Sequence, residues 1–492
     1  MRALKRSPNE LRVYTYLFMQ KRGVAKNTTY FTLALVVQKI LSFIYFYLLS
    51  ANILPDTLGK YVFALSYASL FSIFIDLGLT PILIRESSKN PQKTNTFLKN
   101  IIAVKIPLAC IVIASLVLFI NLTGKPLVTK QLVYLAAIIM SLDAFTMSFW
   151  AVFRSFQNLL YESVATILVQ IIIFVAGISA LFLTKNIIFI ILALVAASIF
   201  NFLFSVFLLK FKLSFSLKPE WDSSIIKYFL KILPAFALGG IFVKVYNASD
   251  AVMLGFFSTD HAVGLYSVPA KTITALSQVI PFALASALFP VFSKNYIESK
   301  EKLKINFLTS IEYLIIASFP IAFGLMALIP YIVKNIWPKY IDVSTTFIIM
   351  SLAIPFIFLS FSTGYLLNAT DRQKYNMLNR GIMSILTIVL NFFLIPFYSY
   401  LGAGITFLFV NVLVFILDFY RVGNILPLKA SDFSAILTKT TLACIIMIGV
   451  AYALLQYMHF ILVIAICAVV YLGILLLVRA IKFSDIKKYI QL

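Results

Sequence analysis

Residues 162–209 read ESVATILVQIIIFVAGISALFLTKNIIFIILALVAASIFNFLFSVFLL. Glu162 opens the stretch and Lys185 interrupts it; every other position is uncharged. Lys185 lies with Thr184 and Asn186 between two runs, 162–183 and 187–209. Each run reaches the ~20 apolar residues that a helix needs to cross a bilayer. Neither alternates polar and apolar residues, as a membrane strand would. In lipid a spanning segment must satisfy its own backbone hydrogen bonds, so the pair predicts a helical hairpin with its turn at one membrane face.

The same reading along the 492-residue chain gives fourteen spans. They run roughly over 29–53, 60–83, 101–121, 131–152, 162–183, 187–209, 229–256, 262–290, 306–332, 345–368, 381–398, 402–420, 440–457 and 460–479. The fold class predicted is an all-α polytopic membrane protein. Composition agrees: 62% of residues are hydrophobic and 12% charged, against about a quarter charged in soluble domains. Residues 1–28 carry seven Lys/Arg and no apolar stretch long enough for a secretory leader, so they read as a basic tail. Within it Leu11–Met19 has the pattern of a short surface-lying helix.

Formal net charge is +23, which could point to nucleic acid. The distribution argues otherwise. With both termini cytoplasmic, 30 Lys/Arg fall on the inner side and six on the outer. That asymmetry is the positive-inside signal of topology. Five more, Lys39, Lys105, Lys231, Lys244 and Lys271, lie within spans. They are matched there by Asp76, Asp143, Asp250, Glu312 and Asp418, which suggests internal pairing and a polar cavity. No nucleic-acid partner is expected. Cys110, Cys444 and Cys467 lie in apolar runs, and His261 and His459 stand far apart. Neither set has metal-ligand spacing, and no phosphate-binding GxxxxGK[ST] loop occurs. No cofactor, metal or direct ATP hydrolysis is expected.

A shift of 205 positions lays Leu58-Gly59-Lys60-Tyr61 on Val263-Gly264-Leu265-Tyr266, Leu49 on Leu254 and Lys39 on Lys244. Six spans separate the copies, so both face the same way, as in two parallel six-helix lobes that rock about a central site. The domains expected are a tail at 1–28, a first lobe at 29–212 and a linker at 213–228. A second lobe at 229–424, a final helix pair at 425–480 and a tail at 481–492 follow.

Gly59 and Tyr61 after the first span, Asp76-Leu77-Gly78 and Asp250 with Val263-Gly264-Leu265-Tyr266 carry a family resemblance. With the basic start, they resemble Wzx-type polysaccharide (O-antigen) flippases. These belong to the multidrug/oligosaccharidyl-lipid/polysaccharide exporter (MOP) superfamily, whose fold is that of the multidrug MATE exporters. The resemblance implies a non-enzymatic carrier of an undecaprenyl-pyrophosphate-linked oligosaccharide, or its archaeal dolichyl counterpart, to the outer leaflet. The partners implied are that substrate, the lipid bilayer, a coupling H⁺ or Na⁺, and polysaccharide polymerase and chain-length machinery. In such flippases the extra C-terminal helix pair forms a groove for the lipid tail. A multidrug exporter and a peptidoglycan-precursor flippase share the fold and stand as alternatives. A membrane polymerase or ligase is a third, though it would need larger outer loops.

A charge at a helix centre costs about 2.5–3.5 kcal/mol on insertion scales, so each one calls for a role. Lys105 and Lys231, close to the starts of their spans, read as snorkelling to the cytoplasmic interface. Lys39, Lys244 and Lys271 lie deeper and are the candidates for an anionic head group, on which lysine acts as a flexible point charge. The bland reading pairs Lys244 with Asp250, and Lys39 with Asp76 or Asp143. Polar faces support a cavity: Lys271, Thr274 and Gln278 share one stripe, and Lys244, Asn247 and Asp250 another. Asp143, Thr146, Trp150 and Arg154 form a third, running from an acid in mid-membrane to a base at the cytoplasmic mouth; helix–helix hydrogen bonding is its alternative. Asp76, Asp143 and Asp250 are candidates for binding H⁺ or Na⁺, with the membrane potential as the other source of drive. Glu312 and Asp418 read as interfacial.

Overall fold

A computed structural model describes residues 24–480; the Leu11–Met19 segment and both predicted tails beyond those bounds lie outside the described residues. Among the described residues the chain is helical and has no strand. The helices are α1 (Val24–Asn52), α2 (Pro55–Asp76), α3 (Leu79–Lys89), α4 (Thr94–Leu122) and α5 (Leu127–Ser155). They continue with α6 (Leu160–Thr184), α7 (Ile187–Leu213), α8 (Ser223–Phe257), α9 (Asp260–Glu298) and α10 (Lys300–Ile336). The last are α11 (Ser344–Ser351), α12 (Ile354–Ala369), α13 (Gln373–Gly423), α14 (Ser431–Leu454) and α15 (Phe460–Leu477).

These account for the fourteen predicted spans. Eleven described helices are long and apolar enough to cross a membrane, and α8 makes a twelfth once its two arms, bent by 53°, are taken as one span. Within α13, Ser399 has φ 51° and ψ −131° and divides a 51-residue stretch into two helices. α9, with 39 residues, covers the predicted eighth span. Large apolar side chains lie on the outside of these helices, among them Leu183, Leu203 and Val469. In water they would be an aggregation hazard; around a membrane bundle they are the lipid-facing surface, since lipid is as apolar as leucine. The protein is a multi-pass membrane protein.

Packing divides the chain into two compact units, Met1–Val252 and Met253–Leu492. In the first, α1 packs on α6, α6 on α7, α5 on α7, and α2 on α5. This unit holds an aromatic-rich core around Phe97, Phe149, Trp150, Phe153 and Phe229. The linker before α8 is tied to α4. Asp222 N–H donates to Asn100 Oδ1 at 2.7 Å, and Lys99 Nζ lies 3.1 Å from Glu220 Oε2. Asp222 also caps α8, accepting from the Ser224 hydroxyl and from the N–H groups of Ser224 and Ile225. Those bonds, the hydroxyl foremost, hold its carboxyl below the usual carboxylate range.

In the second unit α12 packs on α9, α10 and α13, while α14 packs on α10. α15 completes a core of Leu328, Cys444, Met447 and Cys467, and Tyr471 Oη donates to Ile316 O at 2.8 Å. Ser258 and Ser399 hydroxyls lie 2.7 Å apart, tying the start of this unit to the reversal in α13.

The 205-residue repeat is visible in the helix boundaries. α1 ends at Asn52 and α2 starts at Pro55; α8 ends at Phe257 and α9 starts at Asp260. Both boundaries coincide under the shift, and Leu58, Tyr61, Val263 and Tyr266 are all buried behind their turns.

The second span departs from expectation. Rather than running unbroken over 60–83, it stops at Asp76 and restarts at Leu79. Leu77 (φ 44°) and Gly78 (φ 86°) are both left-handed, a conformation that ends an α-helix. Glycine is required at 78 for a second reason. A Cβ there would lie 2.9 Å from the Ala237 nitrogen and the Phe236 carbonyl carbon of α8. Gly78→Ala is therefore expected to cost about 1–3 kcal/mol in backbone strain alone, before α8 is pushed outward. The purified variant should unfold at a lower temperature than the parent; equal thermal stability would show that the α8 contact yields freely.

Candidate functional site

The break at Leu77-Gly78 leaves Asp76 at the end of α2, beside α4 and α5. Lys105 points at it from α4 and is fully buried. Its three N–H donors meet Asp76 Oδ1 at 2.5 Å, Ala144 O at 2.7 Å and Ser148 Oγ at 2.7 Å. Thr80 Oγ1 lies 3.3 Å away and itself donates to Asp76 Oδ1. The ammonium is thus saturated by one charge and by neutral oxygens. The snorkelling expected of Lys105 does not occur. Its ammonium turns inward to an internal carboxylate and neutral oxygens instead. Asp76 accordingly pairs with Lys105 rather than with Lys39.

Asp76 keeps 30% of its side chain exposed, and that surface opens into a cavity of about 440 Å³ within the first unit. Ser69, Ser72 and Asp76 of α2, Asp143 of α5, and Phe236 and Lys244 of α8 line it. Lys244 Nζ donates to Ser72 Oγ at 3.1 Å and to Ser69 Oγ at 3.4 Å, and the side chain stays exposed. Asp143 and Asp76 both lie within electrostatic reach of it. Ser198 of α7 donates to Asp143 Oδ1 at 3.0 Å and so fixes that carboxylate. Lys244 therefore finds serines and two acids of α2 and α5 as neighbours, in place of the anticipated Asp250. Asp250 is buried, whereas Asn247 is exposed.

Lys39 on α1 and Lys271 on α9 are exposed side chains, as is Lys231. The side chain of Gln278 lies outside the described residues. The stripe expected on α5 does not line a cavity along its length. Thr146 is buried and donates to Leu142 O, while Trp150 is buried with its Nε1 3.2 Å from Asn201 Oδ1. Arg154 forms a two-point ion pair with Glu162, its Nε 2.8 Å from Glu162 Oε2 and its Nη2 on Oε1. Trp150 and Arg154 bond to neighbouring helices and Thr146 to its own, and Asp143 alone of the stripe faces the cavity. Asp418 is likewise paired inside the protein. It is fully buried, accepting from Asn379 Nδ2 at 2.7 Å and Arg380 Nη2 at 3.2 Å. Glu312 is exposed.

Sequence reasoning passed over Thr80, Ser148, Ser69, Ser72 and Ser198. A hydroxyl four residues after Asp76 was the one local signal available, because i and i+4 share a helix face. The other partners come from distant helices.

A family described as polysaccharide biosynthesis protein matches residues 24–296. An uncharacterized membrane protein of Methanocaldococcus jannaschii is 26% identical over 258 residues, 49% of this chain and 49% of that protein. The chain thus spans about half the length of this curated relative. Among solved structures, the lipid II flippase MurJ in an inward closed conformation is similar with a TM-score of 0.71 at 16% identity. That match covers 90% of this chain and 97% of MurJ. An inward-facing multidrug resistance MATE family transporter of the MOP superfamily gives 0.59 at 13% identity, over 84% and 98%. At such identities the likeness is one of fold, and it is the MATE-like fold that the family resemblance implied. With more than half of its length matched by the family model, the chain belongs to the polysaccharide biosynthesis protein family.

Proposed function

We propose that the protein is a flippase carrying a polyprenyl-(pyro)phosphate-linked oligosaccharide from the cytoplasmic to the outer leaflet of the cell membrane by alternating access. The cargo serves surface polysaccharide synthesis and passes unchanged, so no catalytic group is needed. The observation that carries this reading is the cavity beside the Asp76 break, in which an exposed lysine is held out between two serine hydroxyls. An ammonium with hydroxyl neighbours suits a phosphate oxygen. Lys39, Lys244 and Lys271 are the head-group residues in this reading, and Asp76, Asp143 and Asp250 the candidates to couple H⁺ or Na⁺. Family membership supports the polysaccharide pathway, and the fold supports a transporter. The excess of basic residues on one set of loops supports cytoplasmic termini. A polymerase with its chain-length machinery would take the flipped product.

The full chain, reconstituted in vesicles with a fluorescent polyprenyl pyrophosphate oligosaccharide in one leaflet, is expected to equilibrate it across both. Vesicles that leave this lipid in place while extruding cationic dyes would place the protein among multidrug exporters instead.

A further inference from the structure

The cargo of such a flippase has its first sugar bonded directly to the phosphate. A phosphate held by Lys244 therefore delivers a sugar ring into the cavity where Lys244 lies. That cavity, at about 440 Å³, falls in the range of about 300–1,000 Å³ that encloses small organic ligands. Its walls carry both hydrogen-bonding senses. Lys244 donates, while the hydroxyl oxygens of Ser69 and Ser72 and the carboxylates of Asp143 and Asp76 accept. Both acids are braced by residues behind the cavity wall, Asp143 by Ser198 and Asp76 by Lys105, and Thr80 of the wall also donates to Asp76. Phe236, Met140 and Met147 supply apolar surface for the ring's C–H faces. Among its lining side chains the charges are one lysine against two aspartates, so the cavity holds no excess of positive charge. With Lys244 engaged by the phosphate and Asp76 by Lys105, a carboxylate on the sugar finds no free cation there and faces the oxygens of Asp143.

Resting on the flippase reading, we infer that the first-unit cavity is a sugar subsite that selects an uncharged, hydroxyl-rich first residue on the lipid carrier, with Asp143 and Asp76 as its acceptors and Phe236 as its apolar wall. Asp143 is the residue to change. Asparagine keeps its shape and its bond to Ser198, whereas altering Asp76 would strand Lys105.

Binding to the full-length protein is to be measured with three short-chain polyprenyl pyrophosphates: bare, bearing one N-acetylhexosamine, and bearing one hexuronic acid. The parent is expected to bind the N-acetylhexosamine probe most tightly. Asp143→Asn should weaken that probe about tenfold or more, the loss associated with one hydrogen bond to a charged group. It should leave the bare probe within about twofold and narrow the discrimination against the uronic acid. Equal weakening of all three probes, or no change in any, overturns the sugar subsite and leaves the flippase reading standing. A parent protein that binds none of the three overturns both.

Discussion

Lys105→Met is expected to leave little folded protein. The change removes the single cation that faces Asp76 from α4 and leaves the acid at the helix break with only hydroxyl and backbone partners. Breaking one side of a buried ion pair costs about 3–5 kcal/mol, because the remaining charge stays desolvated; Asp76, 30% exposed to the cavity, puts the loss at the lower end of that range. That is a large fraction of the 5–15 kcal/mol that separates folded from unfolded states in soluble domains. The loss should be visible as a lower unfolding temperature and a smaller monodisperse fraction in detergent. Pairing it with Asp76→Asn removes the stranded charge, so the double variant should recover much of the stability that the single one loses. Such a recovery, read as a double-mutant cycle, separates a charge-pair role from lost packing volume. A single variant as stable as the parent, or a double variant no better than the single, would contradict the geometry around Lys105.

Lys244→Ala should do the reverse, sparing the fold and stopping transport. The side chain is exposed, and its partners Ser69 and Ser72 keep access to the cavity without it, so stability should change by no more than about 0.5 kcal/mol. A hydrogen bond to a charged group is worth about 1.5–3 kcal/mol, which corresponds to roughly a ten- to hundredfold loss of flux at limiting cargo. Lys39→Ala should lower flux as well, through the head group's second phosphate. Lys244→Arg keeps the charge but replaces a compact ammonium with a planar fork, so partial activity is expected. Flux at the parental level in both alanine variants would remove these lysines from the head-group site.

How much could be read before the fold was known depended on the kind of signal. Each of the fourteen spans is a run of local composition, and each recurs as helix, though the second and the tenth are divided in two, the tenth between Ser351 and Ile354. The hairpin turns recur too, down to the coincidence of Asn52/Pro55 with Phe257/Asp260 under the 205-residue shift. Hydropathy did not detect the break at Leu77-Gly78, because leucine and glycine are unremarkable inside an apolar run. The signal there is conformational: two successive positive φ values, and a backbone approach from α8 that only glycine permits. The inward turn of Lys105 is hidden for a related reason. Its position in the span marks its distance from the start of the apolar run, but not the Asp76, Ala144 and Ser148 oxygens that other helices bring to it. Helical spacing correctly put Asp143, Thr146, Trp150 and Arg154 on one face. It could not say that Asn201 of α7 and Glu162 of α6 cover most of that face. Lys105 with Ser148, and Arg380 with Asp418, meet across 43 and 38 residues, distances over which one sequence carries no pairing information.

The saturated lysine on α4 also bears on how the chain is made. Membrane helices leave the ribosome in order, and a lone lysine at mid-helix opposes the transfer of its segment into lipid. Asp76 precedes Lys105 by 29 residues and emerges first, so its carboxylate is ready when α4 arrives. Ala144 and Ser148 follow Lys105 by 39 and 43 residues and reach the membrane later. The acid must then accept the lysine with water or translocon groups in place of α5. Entry of α2, α3 and α4 as a unit, with α5 sealing the ammonium afterwards, turns an expensive single insertion into a neutral joint one. The order of synthesis is thereby written into which partner of Lys105 carries the charge and which carry only oxygen.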